Sequence, residues 1–146
     1  MTTNRRQVLA FGAASFLIAA RPMPVFAETE IIKLRDLYEK DQSFTKLAKR
    51  LEGQRVGVEG YMAPPLKAES NFFVLTRRPM AVCPFCESEA DWPDDILAVY
   101  AKRVVDVVRY NVKLVTTGRL ELGAFTDPET GFVSRVRLAD ATFERA

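Results

Sequence analysis

The pattern of apolar positions changes period near Gly53. Before it, "ETEIIKLRDLYEKDQSFTKLAKRLEG" places Ile31, Leu34 and Tyr38 three to four residues apart, and after Asp41-Gln42-Ser43 the stripe resumes as Phe44, Leu47, Ala48 and Leu51. That spacing lines one side of a helix. It predicts a helical lead-in over residues 28–52, in two pieces, with Ser43 as a cap for the second and Gly53 as its stop. Lys46, Lys49 and Arg50 form the solvated face of this amphipathic stretch.

Beyond Gly53 the period is two. In "QRVGVEGYM", Val56, Val58 and Met62 point one way and Arg55, Glu59 and Tyr61 the other. Gly57 and Gly60 inside such a run signal strong curvature or a bulge. "APPLKAESN" is a loop, because Pro64-Pro65 cannot continue a ladder. "FFVLTR" and "ILAVYA" read as strands, separated by a long irregular segment punctuated by Pro79, Pro84 and Pro93. "RVVDVVRYN" fits neither a helix nor a strand decisively. "VKLVTTGRLELG" is a long strand with Val112, Leu114, Thr116, Leu120 and Leu122 on one face. "AFTDPETG" supplies a hairpin turn through Pro128 and Gly131. "FVSRVRLADATFE" closes the sheet, with Phe132, Val136 and Leu138 inward and Arg135 and Arg137 outward. The fold class is mainly β: a small OB-like five-stranded barrel over residues 53–146, preceded by one or two short helices.

The chain has 146 residues, enough for one such core, and no histidine. The missing histidine excludes imidazole acid–base chemistry, His-activated nucleophiles and His-ligated zinc. Residues 1–27 read as an export signal: Arg5-Arg6, an apolar stretch from Val8 to Ala20 too short to span a bilayer, and "VFA" before the cut after Ala27. "NRRQVLA" resembles a twin-arginine signal. Without the three arginines of that segment the balance is 18 basic to 19 acidic side chains. The expectation is a periplasmic protein with no membrane span in its mature part and no nucleic-acid partner, since a near-neutral chain does not steer polyanions. Arg77-Arg78 and Lys102-Arg103 are basic pairs too dispersed to alter this.

"LEGQRVGVEGYMAPPL", "FFVLTRRPMAVCPFC" and "GRLELG" together resemble a family of small exported bacterial proteins of unassigned function. Its pattern runs L-x-G-x-x-V-x-(V/I)-x-G-Y-M-x-P-L, then a strand ending in a Cys- or Pro-containing loop, then V-x-G-x-L. The likeness covers Leu51 to Leu122 and is most specific from Glu59 to Pro65, where this chain carries one extra proline. In the loop it carries C-P-F-C and no histidine. The resemblance implies an accessory role beside ABC-type transport systems in zinc-responsive settings.

Cys83 and Cys86 are the chain's two cysteines, in "MAVCPFCESEAD". A redox couple of thioredoxin type needs its first thiolate on a helix N-terminus; here Pro93 follows quickly, and Glu87, Glu89, Asp91, Asp94 and Asp95 raise a thiol pKa rather than lower it. A metal site uses the same acids. Two thiolates in C-x-x-C can hold one zinc or copper ion, completed by Met80, Glu87, Glu89 or Asp91, or by the thiolates of a second chain in a dimer. Met62 is a further soft sulfur at a strand end. A disulfide clipping the loop is the third reading, worth about 2 kcal/mol on the chain-entropy model, and the export signal favours it. A twin-arginine substrate would fold before export, with its thiols reduced and open to metal. Trp92 is a candidate binding residue, or an anchor of the loop onto the barrel.

These features point to a non-enzymatic periplasmic binding or accessory protein. Its Cys83–Cys86 loop would handle a soft metal or dock on a transport-system component. A thiol–disulfide oxidoreductase and a module with a purely structural disulfide are the alternatives.

Overall fold

The computed structural model describes residues 28–81 and 95–146. Within them lie six strands: β1 (Ile31–Lys33), β2 (Arg55–Met62), β3 (Phe72–Thr76), β4 (Ile96–Ala101), β5 (Lys113–Thr126) and β6 (Val133–Arg145). One short helix, α1 (Lys46–Leu51), precedes β2. The predicted export signal, residues 1–27, lies outside the described residues.

Five strands close a ring in the order β2-β3-β4-β6-β5 and back to β2. Neighbours are antiparallel except β4 and β6, which run parallel. This is the Greek-key ring of an OB-like barrel, as the sequence pattern predicts. β1 adds a sixth strand, parallel to β2 with Ile31 opposite Gly57.

Closure depends on β2. Its residues 55–61 pair with β5, while Tyr61 and Met62 pair with β3 and residues 57–59 with β1. One strand can serve three partners only if it coils sharply, and the inward-facing Gly60 permits this. A Cβ there would stand 2.7 Å from Leu75 Cγ and 2.8 Å from the Thr76 carbonyl oxygen. Leu75 fills the space a side chain would occupy. Gly118 plays the same part on β5, where a Cβ would meet the Ala139 carbonyl at 2.9 Å. Opposite it β6 bulges at Asp140 (φ 52°), whose carboxylate takes an ion pair from Arg55 at 3.2 Å and another from Lys102 at 3.4 Å.

Val56, Val58, Met62, Phe73, Leu75, Leu97, Val99, Leu114, Leu120, Val136 and Leu138 fill the interior. The alternation expected along β2 and β5 is therefore present. The lead-in differs from expectation. Ile31–Lys33 is a strand and Leu34–Leu37 a 3₁₀ turn, not a helix. Ile31, which the helical spacing placed on the buried face, is exposed; the pleat of a short strand and the tight turn after it direct Ile32, Leu34 and Leu37 to the core instead, with Tyr38. Ser43 does not cap α1: its amide and hydroxyl are engaged by Asp41 Oδ1 at 3.0 and 2.6 Å. Thr45 is the cap, its hydroxyl accepting from the Ala48 amide at 3.1 Å. Phe132 does not face the interior. It precedes the first residue of β6, so the pleat does not dictate its direction, and it packs outside the barrel against Phe72.

Gly60→Ala should lower the urea midpoint by an amount equivalent to about 1–3 kcal/mol, with little change in m-value, because the new methyl overpacks a backbone carbonyl that cannot move aside.

Candidate functional site

OB-type barrels commonly bind extended ligands on the outer face of their second and third strands, between the loops after strands one and four. Here those strands are β3 and β4, and both of their faces are covered. All five residues of β3 are buried. Phe72, Val74, Ile96 and Ala98 point outward, yet lie in a second apolar cluster with Ala63, joined by Leu66 from the β2–β3 loop, Tyr100, and Phe132 from the β5–β6 turn. Phe72 stacks against Tyr100 at 5.1 Å and Phe132 at 5.3 Å, and Tyr100 meets Phe125 edge-on at 5.8 Å.

The β5–β6 hairpin is fastened over this face by Arg137. Its Nε donates to Glu121 Oε2 at 2.8 Å, its Nη1 to the Gly123 carbonyl at 3.0 Å, and its guanidinium lies 4.7 Å from the centre of the Phe125 ring. Lys67 and Glu129 link the two covering loops at 3.7 Å, but both are exposed. Such a pair contributes about 0–1 kcal/mol, whereas each ring pair adds about 0.5–1.5 kcal/mol beyond its area burial. The aromatic contacts therefore hold the cover in place.

Asp127 shapes the tip of the hairpin. Its Oδ1 accepts from the Glu129 amide at 2.9 Å, the Thr130 amide at 2.8 Å and the Thr130 hydroxyl at 3.0 Å. Burial opposes its ionised form, but these hydrogen bonds outweigh burial and hold its pKa below the ordinary carboxylate value. The Tyr100 hydroxyl is buried beside it without a well-formed hydrogen bond. Burial and the Asp127 charge both push that hydroxyl's pKa up.

The loop between β3 and β4 springs from a pinned neck. Thr76, fully buried, reaches the Arg78 carbonyl at 2.8 Å and the Tyr61 carbonyl at 3.2 Å with its hydroxyl. The Arg77 amide donates to the Asp95 carbonyl at 2.9 Å, closing the neck. Arg77, Arg78 and Pro79 are exposed, and Met80 is half-buried. Cys83, Cys86, Glu87, Glu89, Asp91, Trp92 and Asp94 lie outside the described residues. Among the described residues no group of three or more Cys, Asp or Glu side chains could hold a metal ion.

Met62 is not a soft ligand at the rim. It is buried, and its sulfur accepts the Val108 amide at 3.4 Å. The two basic pairs do not share a groove: Arg77-Arg78 follow β3 and Lys102-Arg103 follow β4, so they sit at opposite ends of this antiparallel hairpin. Sequence reasoning missed the covered outer face. Its signal was present, since "FFVLT" and "ILAVYA" are unbroken apolar runs, the mark of strands buried on both faces.

No known protein family's sequence signature matches the chain, and no curated protein matches it in sequence. In structure it is similar to a DUF3299 family protein from Pseudomonas aeruginosa PAO1, with a TM-score of 0.53 and 11% identity over 82% of this chain and 97% of that one. The likeness shows a shared fold. Among the described residues no helix is long and apolar enough to cross a membrane.

The depressed pKa of Asp127 carries a pH signature. Its stabilising contribution is complete above the unfolded-state carboxylate pKa and is lost as pH falls through the lower folded value. Asp127→Asn should therefore be less stable than the parent by about 1 kcal/mol at neutral pH. That difference should vanish in strong acid, as followed by urea denaturation across pH.

Proposed function

We propose that the protein is a non-enzymatic binding or accessory module, exported to the periplasm, whose β3–β4 loop handles a soft metal, zinc or copper, or docks on a component of a transport system. One observation carries this reading. The outer face of β3 and β4, where barrels of this topology commonly take extended ligands, is filled by Phe72, Tyr100, Phe132 and Leu66 of the chain itself. A barrel with that face filled serves as a rigid platform for the segments at its rim. The longest of these is the loop closed at its neck by Arg77 and Asp95.

In this reading Cys83 and Cys86 supply two thiolates at a spacing that fits adjacent positions on one ion. Met80, Glu87, Glu89 or Asp91, or the thiolates of a second copy, complete the set, and Trp92 shields or contacts what binds. A second reading is thiol–disulfide exchange by the same two cysteines; Arg77 and Arg78, exposed at the start of the loop, are the cations closest to them in sequence, and a cation brought to a thiolate stabilises it.

Protein purified without oxygen should carry zinc or copper at about one ion per chain, or one per two chains if four thiolates are pooled. Either Cys83→Ser or Cys86→Ser should abolish it, as read by elemental analysis with a parallel thiol count. Metal-free protein whose cysteines, once reduced, titrate near the ordinary value of about 8.5 would sink both readings and leave a structural disulfide. A depressed Cys83 pKa, with dithiol exchange lost in Cys83→Ser, would transfer the function to redox chemistry.

A further inference from the structure

The segment from Lys102 to Val112 connects β4 to β5 as a strap without regular secondary structure, half-buried at Val105, Val108 and Val112. Val105, Val108 and Val112 pack on the barrel core. The Lys102 amide bonds the Ala141 carbonyl at 3.0 Å and the Val105 amide the Ser70 carbonyl at 2.9 Å, which pin the strap. Val104, Val107 and Tyr110 stand 60%, 64% and 44% exposed. Arg103, Asp106 and Arg109 carry its charges and are all exposed. Lys102 is paired with Asp140, but Arg103 and Arg109 enter no ion pair among the described residues. At the start of the strap lies a concavity of about 270 Å³, walled by Ala101, Val104, Ala141 and Phe143, with Lys102 and Arg103 beside them.

We propose that this strap and concavity form a docking surface for an acidic segment of a partner protein that carries a bulky apolar side chain. The side chain enters the concavity, its neighbouring carboxylates meet Arg103 and Arg109, and the rest of the segment lies on Val104, Val107 and Tyr110. The charge pattern selects this occupant. An anionic bilayer would have to accept Asp106, between Arg103 and Arg109, where both the hydrocarbon and the headgroup charge oppose it, whereas a discrete segment can place its carboxylates at the two arginines alone. A second copy laid over the strap about a two-fold axis through its middle, at Asp106, would set Asp106 against Asp106 and Arg103 against Arg109. The surface lies at the opposite end of the β3–β4 hairpin from the cysteine loop, so the proposal stands or falls apart from the metal reading.

The test is an NMR titration of the isotope-labelled protein with three probes: a short synthetic peptide interleaving Glu with Phe and Leu, the same peptide with Lys for Glu, and phosphatidylglycerol vesicles. The Glu peptide should shift amides of residues 101–110 and 141–143 and weaken with added salt. Arg103→Glu should weaken it by roughly tenfold or more, as expected when a charge pair at an interface becomes repulsive, and Val107→Asp should reduce it as well. The double variant Arg103→Glu with Arg109→Glu should prefer the Lys peptide. These positions are exposed, so the variants remain folded. Equal response to both peptides, or no response to either, would overturn the proposal. Shifts caused by vesicles alone would assign the strap to a membrane surface instead, and shifts that depend only on protein concentration would assign it to self-association.

Discussion

The structure depends on how tightly one strand can coil. β2 pairs along one edge with β5 and shares the other between β1 and β3. The strand can turn through that arrangement only because position 60 has no side chain and Leu75 sits where one would be. Gly118 relieves the corresponding crowding where β5 passes the bulge of β6. Both are inward-facing positions, where a strand would ordinarily place a large apolar residue. Core volume is given up at two points so that the sheet can close without exposed edges along the ring.

Closure determines what the surface can do. A barrel of this size has an interior filled by side chains, so binding has to occur outside it. The outer face of β3 and β4 is occupied by an aromatic cluster that the β2–β3 loop and the β5–β6 hairpin complete. Arg137, bonded to Glu121 and Gly123 and stacked on Phe125, fixes the hairpin in that position. What remains outside the barrel is its two ends: the β3–β4 loop at one, and the strap between β4 and β5 at the other. Both are attached by main-chain hydrogen bonds to the frame, which gives each a defined point of departure.

Much of this was legible in the sequence where a strand has one buried face and one wet face. β2, β5 and β6 alternate cleanly, and the glycines of β2 marked curvature before the ring was visible. Other features had weaker or ambiguous signals. Ile31, Leu34 and Tyr38 satisfy a helical spacing, yet the chain forms a three-residue strand and a 3₁₀ turn there, and the strand's pleat turns Ile31 to solvent and Ile32 to the core. The strap resisted assignment because its paired valines, Val104-Val105 and Val107-Val108, fit the helix and strand spacings equally poorly. Phe132 shares the parity of the inward row of β6, but it lies before the strand begins, and parity has no force there. The candidate site was legible only as chemistry. C-P-F-C and its acids name the elements that could act, but a loop without periodicity carries no pattern from which its geometry follows.

The filling of the outer β3–β4 face by the chain's own residues decides where this barrel can bind. Nuclear Overhauser contacts in solution test it directly. Ring protons of Phe72 should show strong cross-peaks to Phe132, and those of Tyr100 to Phe125, whose ring centres lie 5.3 and 5.8 Å apart. Absence of both, with the Phe72 and Val74 side chains accessible to a paramagnetic probe in the solvent, would contradict the account and return that face to the role of an open binding cleft.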